Sequence, residues 1–208
     1  MLSHSPRVAC LPVIRSAPWQ LAHNPLTSAL PAASRPPSAY RTALLVVSIG
    51  AVNGVAAGAG ANLAFACDIV FASSGATFVQ SFAKIGVIPD SGGTFLLPRI
   101  VGLARATALT MLAEKVSAQQ AAEWGMIYKV TEPAALLDTA RQTARYLASQ
   151  PTAGLGLTKR GFNRSLGIDL RGQLDYEEDL QREAGRTSDY EEGVRAFLEK
   201  RKPAFTGR

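Results

Sequence analysis

The stretch LLVVSIGAVNGVAAGAGANLAFACDIVFA, residues 44–72, decides the fold. LLVVSIGAV is a continuous apolar run rich in β-branched residues, the pattern of a buried strand. It ends at Asn53-Gly54, and the small-residue loop AAGAGA follows. Asn62 to Cys67 can form a short helix, and Asp68 to Ala72 reads as the next strand. A strand, a glycine-rich turn, a helix and a strand make a βαβ unit with a parallel sheet.

A glycine-rich turn between strand and helix raises the question of a nucleotide. Gly58-Ala59-Gly60-Ala61-Asn62-Leu63 supplies two glycines of GxGxxG but has Leu in the third place, and no acid follows about 20 residues later at a strand end. No GKS or GKT is present, so it is not a Walker loop. Two readings stay open. The small residues let strand and helix pack closely, or they bring a helix N-terminus, with its free N–H groups and partial positive charge, up to a developing oxyanion.

Thirty residues on, GVIPDSGGT at 86–94 sets Asp90 between a proline and a glycine pair. Asp90 is either the cap of a helix beginning at Ser91 or a catalytic acid/base. Helical signals dominate beyond Gly92. Ser117 to Gln120 is a capping box before AAEWGMI. Glu132 to Gln150 reads as a helix with Leu136, Leu137, Ala140 and Leu147 on its apolar face, stopping before Pro151. Ser188 to Glu191 reads as a second capping box, opening the final helix EEGVRAFLEKRK.

The chain of 208 residues suits one domain with an appendage, and its 47% apolar content allows a sizeable core. No apolar run reaches the roughly 18 residues of a membrane span. Residues 1–45 carry Arg7, Arg15, Arg35 and Arg41 and no acid, leaving 18 of the 22 basic and all 16 acidic side chains to the rest. The net charge of +6 therefore sits mostly in that segment, and no broad basic footprint for nucleic acid is present. Cys10 and Cys67 lack CxxC spacing, and with only His4 and His23 a structural zinc site is excluded by count. A reduced intracellular setting is the default. Seven of the twelve prolines fall within residues 1–40, which forbids a long helix there. That segment is expected to be mostly irregular or disordered. Its prolines argue against the amphipathic helix of a transit peptide, and it has no apolar core of a secretory signal.

Three stretches together resemble the enoyl-CoA hydratase/isomerase (crotonase) family: AVNGVAAGAGANLAFACDIVFAS, FAKIGVIPDSGGTFLLPRIVG and the ending FLEKRKPAFTGR. The resemblance covers roughly residues 46–208 and is greatest to isomerases that act on a ring epoxide of an acyl-CoA. It implies a crotonase-like α/β spiral of ββα units, N-terminally incomplete, with a C-terminal helical region that supports a homotrimer or hexamer. The implied organisation is an atypical segment at 1–45, an α/β core at 46–150 and helices at 151–208. The sheet would lack early strands and expose an unpaired edge. The family's upstream AG-x-D-L loop, source of a first oxyanion donor, does not occur before Ala51.

The resemblance also implies roles. The substrate is an acyl-CoA thioester, with no cofactor beyond the coenzyme A it carries, in the cytoplasm, with no nucleic acid or membrane partner. The Ala59 N–H is the second oxyanion donor, with Gly58 and Gly60 shaping its loop. The glutamates of the family's hydratases map to Asn62 and Phe82, neither of which can act as a base, so hydration by the usual route is not expected. The isomerases' acid maps to Asp90, expected in an apolar pocket with Phe82, Val87 and Ile88 that would raise its pKa by desolvation. Asn62 either hydrogen-bonds near substrate or caps its short helix. Gln80 and Phe82 are expected to line the acyl pocket, with a packing role open for Phe82. Lys200 either meets the CoA phosphates or belongs to a solvated basic helix end. The function implied is an acyl-CoA isomerase that moves a double bond or opens a ring epoxide. The alternative is a non-catalytic relative that binds acyl-CoA or serves as an oligomer subunit.

Overall fold

The structure, a computed structural model, describes residues 13–14 and 47–208. Its contacts divide these into two compact units.

The first unit comprises residues 50–136 with 13–14. Its strands alternate between two sheets. β2 (Ile49–Val52) is buried throughout, which is why its sequence is continuously apolar rather than alternating. Asn53-Gly54 turns the chain into β3 (Val55–Ala57), and α1 (Ala59–Ala66) follows. The next turn of the spiral repeats this order with β4 (Ile69–Ser73), β5 (Thr77–Val79), a 3-10 turn (Ser81–Ile85), α2 (Gly93–Val101) and α3 (Leu103–Leu112). Then come β6 (Lys115–Ser117), α4 (Ala118–Glu123) and β7 (Lys129–Thr131). One sheet has the order β1-β2-β4-β7, where β1 is Val13–Ile14, and the other β3-β5-β6. The pairs β1/β2, β3/β5 and β4/β7 are parallel, and β5/β6 is antiparallel. Successive corners are stitched together: Ser73 Oγ donates to the Asn53 carbonyl at 3.2 Å, and the Ser74 N–H to the Thr131 carbonyl at 2.9 Å.

Several expectations are corrected here. The loop AAGAGA is not all loop: Val55–Ala57 is a strand in register with Thr77–Val79, so the unit is ββα rather than a single-sheet βαβ. The helix begins at Ala59, three residues before the expected Asn62. The sheet edge at β2 is not bare, because Val13 and Ile14 lie opposite Ala51 and Val52. The rest of the segment expected to be irregular, 1–12 and 15–45, lies outside the described residues.

The core lies between the sheets and helices α1–α4. Ala61 and Ala64 are fully buried, so the small side chains of α1 do let it press against the sheet. Phe65 stacks on Phe78 with ring centroids 5.4 Å apart, and Val70, Leu97, Leu109 and Val116 close around them. The capping box at α4 forms as expected: Ser117 Oγ accepts from the Gln120 N–H, and Gln120 Oε1 accepts from the Ser117 N–H, both at 3.2 Å.

The second unit comprises residues 47–49 and 137–208. The helix expected over Glu132–Gln150 is a 3-10 turn at Pro133–Ala135 followed by α5 (Leu136–Ala148). α6 (Thr152–Ser165) and α7 (Leu170–Ala184) pack together, joined by Gln173 Nε2 to the Gly161 carbonyl at 3.2 Å and Arg160 to Glu183 at 3.1 Å. α8 (Ser188–Leu198) is capped by Thr187, whose Oγ1 accepts from the Tyr190 N–H at 3.1 Å. The expected box from Ser188 does not form, because Ser188 Oγ donates instead to the Arg208 backbone oxygen at 2.8 Å. The helix ends at Leu198, so EKRK is not helical. The last residues fold back onto α8. Asp189, 3% exposed, accepts from the Thr206 N–H at 2.6 Å and the Gly207 N–H at 2.7 Å, and its own N–H donates to the Arg208 backbone oxygen. Among the described residues no helix is long and apolar enough to cross a membrane.

Candidate functional site

The glycine loop and the Asp90 turn meet in the first unit. Gly58 ends the bend from β3 into α1. Its φ of +52° lies where only glycine is unstrained, and a Cβ there would sit 3.4 Å from the Phe82 ring and from Ser81 Oγ. Its N–H donates to the Val79 carbonyl at 2.8 Å. Ala59 is the first residue of α1, where N–H groups have no carbonyl within the helix to bond. Gly60 differs from Gly58: a Cβ there would meet nothing within 4 Å, so the described residues do not require glycine at that place.

Asn62 sits one turn into α1 and is fully buried. It is not the helix cap, since Gly58 occupies that position. Its Nδ2 donates to the Asp90 carbonyl at 2.9 Å, across 28 residues of sequence. Its Oδ1 accepts from Gln80 Nε2 at 2.9 Å. Gln80 is itself buried, just after β5, and its donor is engaged by Asn62. Phe82 is buried within the 3-10 turn, against the Gly58 backbone.

Asp90 does not cap a helix at Ser91. The helix begins at Gly93 with Gly92 as its cap, and no side chain bonds its first turn. Gly92, at φ +81°, takes the left-handed conformation that turns the chain into α2. Gly93 is needed for a different reason: a Cβ there would lie 2.7 Å from Asn62 Cγ. Sequence reasoning read the glycine pair as a motif and missed this contact. The Asp90 carbonyl accepts from the Gly93 N–H at 2.8 Å, and its Oδ1 accepts from Ser91 Oγ at 3.0 Å. The carboxylate is exposed, and so are Val87 and Ile88. The desolvating apolar pocket expected around Asp90 is therefore not formed among the described residues.

The residues brought together are thus Gly58, Ala59, Asn62, Gln80, Phe82 and Asp90. Lys200 belongs to the other unit. It follows α8 with φ +55°, is exposed, and its backbone N–H donates to the Phe197 carbonyl at 3.2 Å. Chemically, the first unit offers a helix N-terminus, whose first N–H groups have no carbonyl within the helix, tied to a turn that carries one carboxylate; among the described residues the hydrogen-bond chain Gln80–Asn62–Asp90 holds no second acid.

Known proteins resemble this chain in sequence and in fold. The sequence profile of the enoyl-CoA hydratase/isomerase family matches residues 38–208, starting eight residues before the resemblance seen in the sequence. The 1,2-epoxyphenylacetyl-CoA isomerase of Escherichia coli is 58% identical over 160 residues, which are 77% of this chain and 61% of that protein. The short-chain-enoyl-CoA hydratase of Clostridium acetobutylicum is 38% identical, over 74% of this chain and 59% of that protein. The crystal structure of an enoyl-CoA hydratase from Polaromonas superposes with a TM-score of 0.77 at 36% identity, covering 82% of this chain and 66% of that one. The chain thus spans about three-fifths of the length of the curated relatives it matches. With its ββα spiral, its glycine loop and its Asp90 turn, the chain belongs to the enoyl-CoA hydratase/isomerase family.

Proposed function

We propose that this protein is an acyl-CoA isomerase with Asp90 as its acid/base and the Ala59 N–H as an oxyanion donor. The observation that carries this reading is the Asn62–Asp90 hydrogen bond, which ties the first turn of α1 to the turn bearing the carboxylate. For a 3-enoyl-CoA, the Asp90 carboxylate takes a proton from C2. The electron pair passes to the thioester oxygen, and the enolate accepts a hydrogen bond from Ala59. The protonated Asp90 then delivers its proton to C4, leaving the double bond between C2 and C3. The ring-epoxide version uses the same two groups, and the name of the Escherichia coli relative supports it. Hydration is disfavoured because Asn62 and Phe82 stand where the resemblance places the hydratases' glutamates.

Gly58 shapes the donor loop by its backbone, and Phe82 forms a wall beside it. Lys200 is proposed to meet the CoA phosphates. A homotrimer or hexamer in the cytoplasm fits the family. The apolar side chains exposed along α8, Tyr190, Val194, Phe197 and Leu198, are suited to subunit contacts.

The exposure of Asp90 favours a second reading, in which the protein binds acyl-CoA without turning it over. The test is absorbance of the conjugated product from a 3-enoyl-CoA, with Asp90→Asn alongside. Isomerase action predicts a loss of about 10² to 10⁴ in kcat in the variant. A folded wild type that binds the thioester without turning it over would favour the binder.

A further inference from the structure

Burial does not hold the Asp90 turn. Ile85, Val87 and Ile88 are 76%, 51% and 78% exposed, and Asp90 is exposed with them. Its position depends on hydrogen bonds to its backbone. The Asp90 carbonyl accepts two, one from the Gly93 N–H within the turn and one from Asn62 Nδ2 outside it.

The second bond is part of a directed chain. A backbone carbonyl can only accept, so Asn62 must turn its Nδ2 toward Asp90. Its Oδ1 must then face Gln80, which must turn its own Nε2 toward Asn62. Both amides are almost wholly buried, at 0% and 3% exposure. The arrangement leaves Gln80 Oε1 buried without a protein partner among the described residues. A buried acceptor in that state is unfavourable, yet the orientation is kept. Gly93 completes the clamp, since its missing side chain is what lets the turn lie against the Asn62 amide.

We infer that Asn62, oriented by Gln80, is a positioning residue for Asp90: it fixes the turn from which the carboxylate projects. This rests on the acid/base role proposed for Asp90. It gives Asn62 and Gln80 a task other than contacting substrate, because both ends of the Asn62 amide are engaged by protein groups.

The test uses the full chain with Asn62→Leu, which keeps the volume and removes the amide, and Gln80→Met, which keeps the length and removes the donor. Hydrogen exchange reads the clamp without requiring turnover. In Asn62→Leu the hydrogen-bonded amides of the turn, those of Val87 and Gly93, should exchange about tenfold faster, the worth of one hydrogen bond, while the interior amides of α1 keep their wild-type rates. On a 3-enoyl-CoA, kcat should fall by about 10- to 100-fold, the effect of a small misplacement, with KM within about twofold. Gln80→Met should shift both readouts in the same direction by less. Unchanged exchange in the turn overturns the inference, and so does faster exchange with wild-type kcat. If leucine at 62 loosens α1 as well, Gln80→Met decides by the same two readouts. If the wild type itself shows no turnover, the isomerase reading fails on its own, and exchange alone decides whether the clamp exists.

Discussion

Gly93 is the residue whose replacement tests the site most sharply. Adding a methyl group drives it into the Asn62 amide, which is fully buried and held by hydrogen bonds at both ends. Gly93→Ala should destabilise the protein by about 1–3 kcal/mol, the usual range for overpacking. In an Asn62→Ala background the obstructing amide is gone, and most of that loss should vanish. Urea denaturation of the four proteins measures the coupling, and additive effects would mean the two residues do not meet. This contact was not legible in the sequence. Asp90, Asn62 and Gln80 were each visible as candidates, but their partners lie 28 and 18 residues apart along the chain, and only the fold decides who bonds whom. Gly58 was legible as a loop former, whereas the difference between it and Gly60 depends on where Phe82 packs.

Elements set by local rules were read well. Ser117 and Gln120 satisfy each other within one turn, so the start of α4 needs no information from elsewhere. Ser117→Ala should cost about 0.5–2 kcal/mol, read as a lowered midpoint in urea with an unchanged slope. Elements set by distant pairing were read less well. β3 is three residues long and rich in alanine, a poor strand by propensity, and it exists because β5 lies beside it. The start of α8 shows the same competition. Thr187 and Ser188 are both good caps, and the Arg208 backbone oxygen, 20 residues away, draws Ser188 out of the contest. The apolar run at 49–52 told the strand's burial correctly because both its faces are covered.

At the scale of the whole molecule, the closing segment makes stability depend on acidity. Glu192 accepts two hydrogen bonds from Arg201, at 2.6 and 2.9 Å, and one from the Ala204 N–H at 2.8 Å. The Arg201 guanidinium, helped by that N–H, lowers the Glu192 carboxyl from 4.5 to about 2. A carboxyl lowered on folding adds stability that is complete above its unfolded value and is lost as pH falls toward the folded one. The melting-temperature gap between wild type and Glu192→Gln should therefore be constant above about pH 5 and close between pH 4.5 and 2. A gap that ignores pH would show that the charge contributes nothing. The fold-back of the last residues has another consequence. A protease must draw several residues of slack chain into its cleft, and here Thr206, Gly207 and Arg208 are all held against α8 by Asp189. Cleavage within this segment can proceed only in molecules where it has peeled away, so the pace of digestion becomes a clock for that opening.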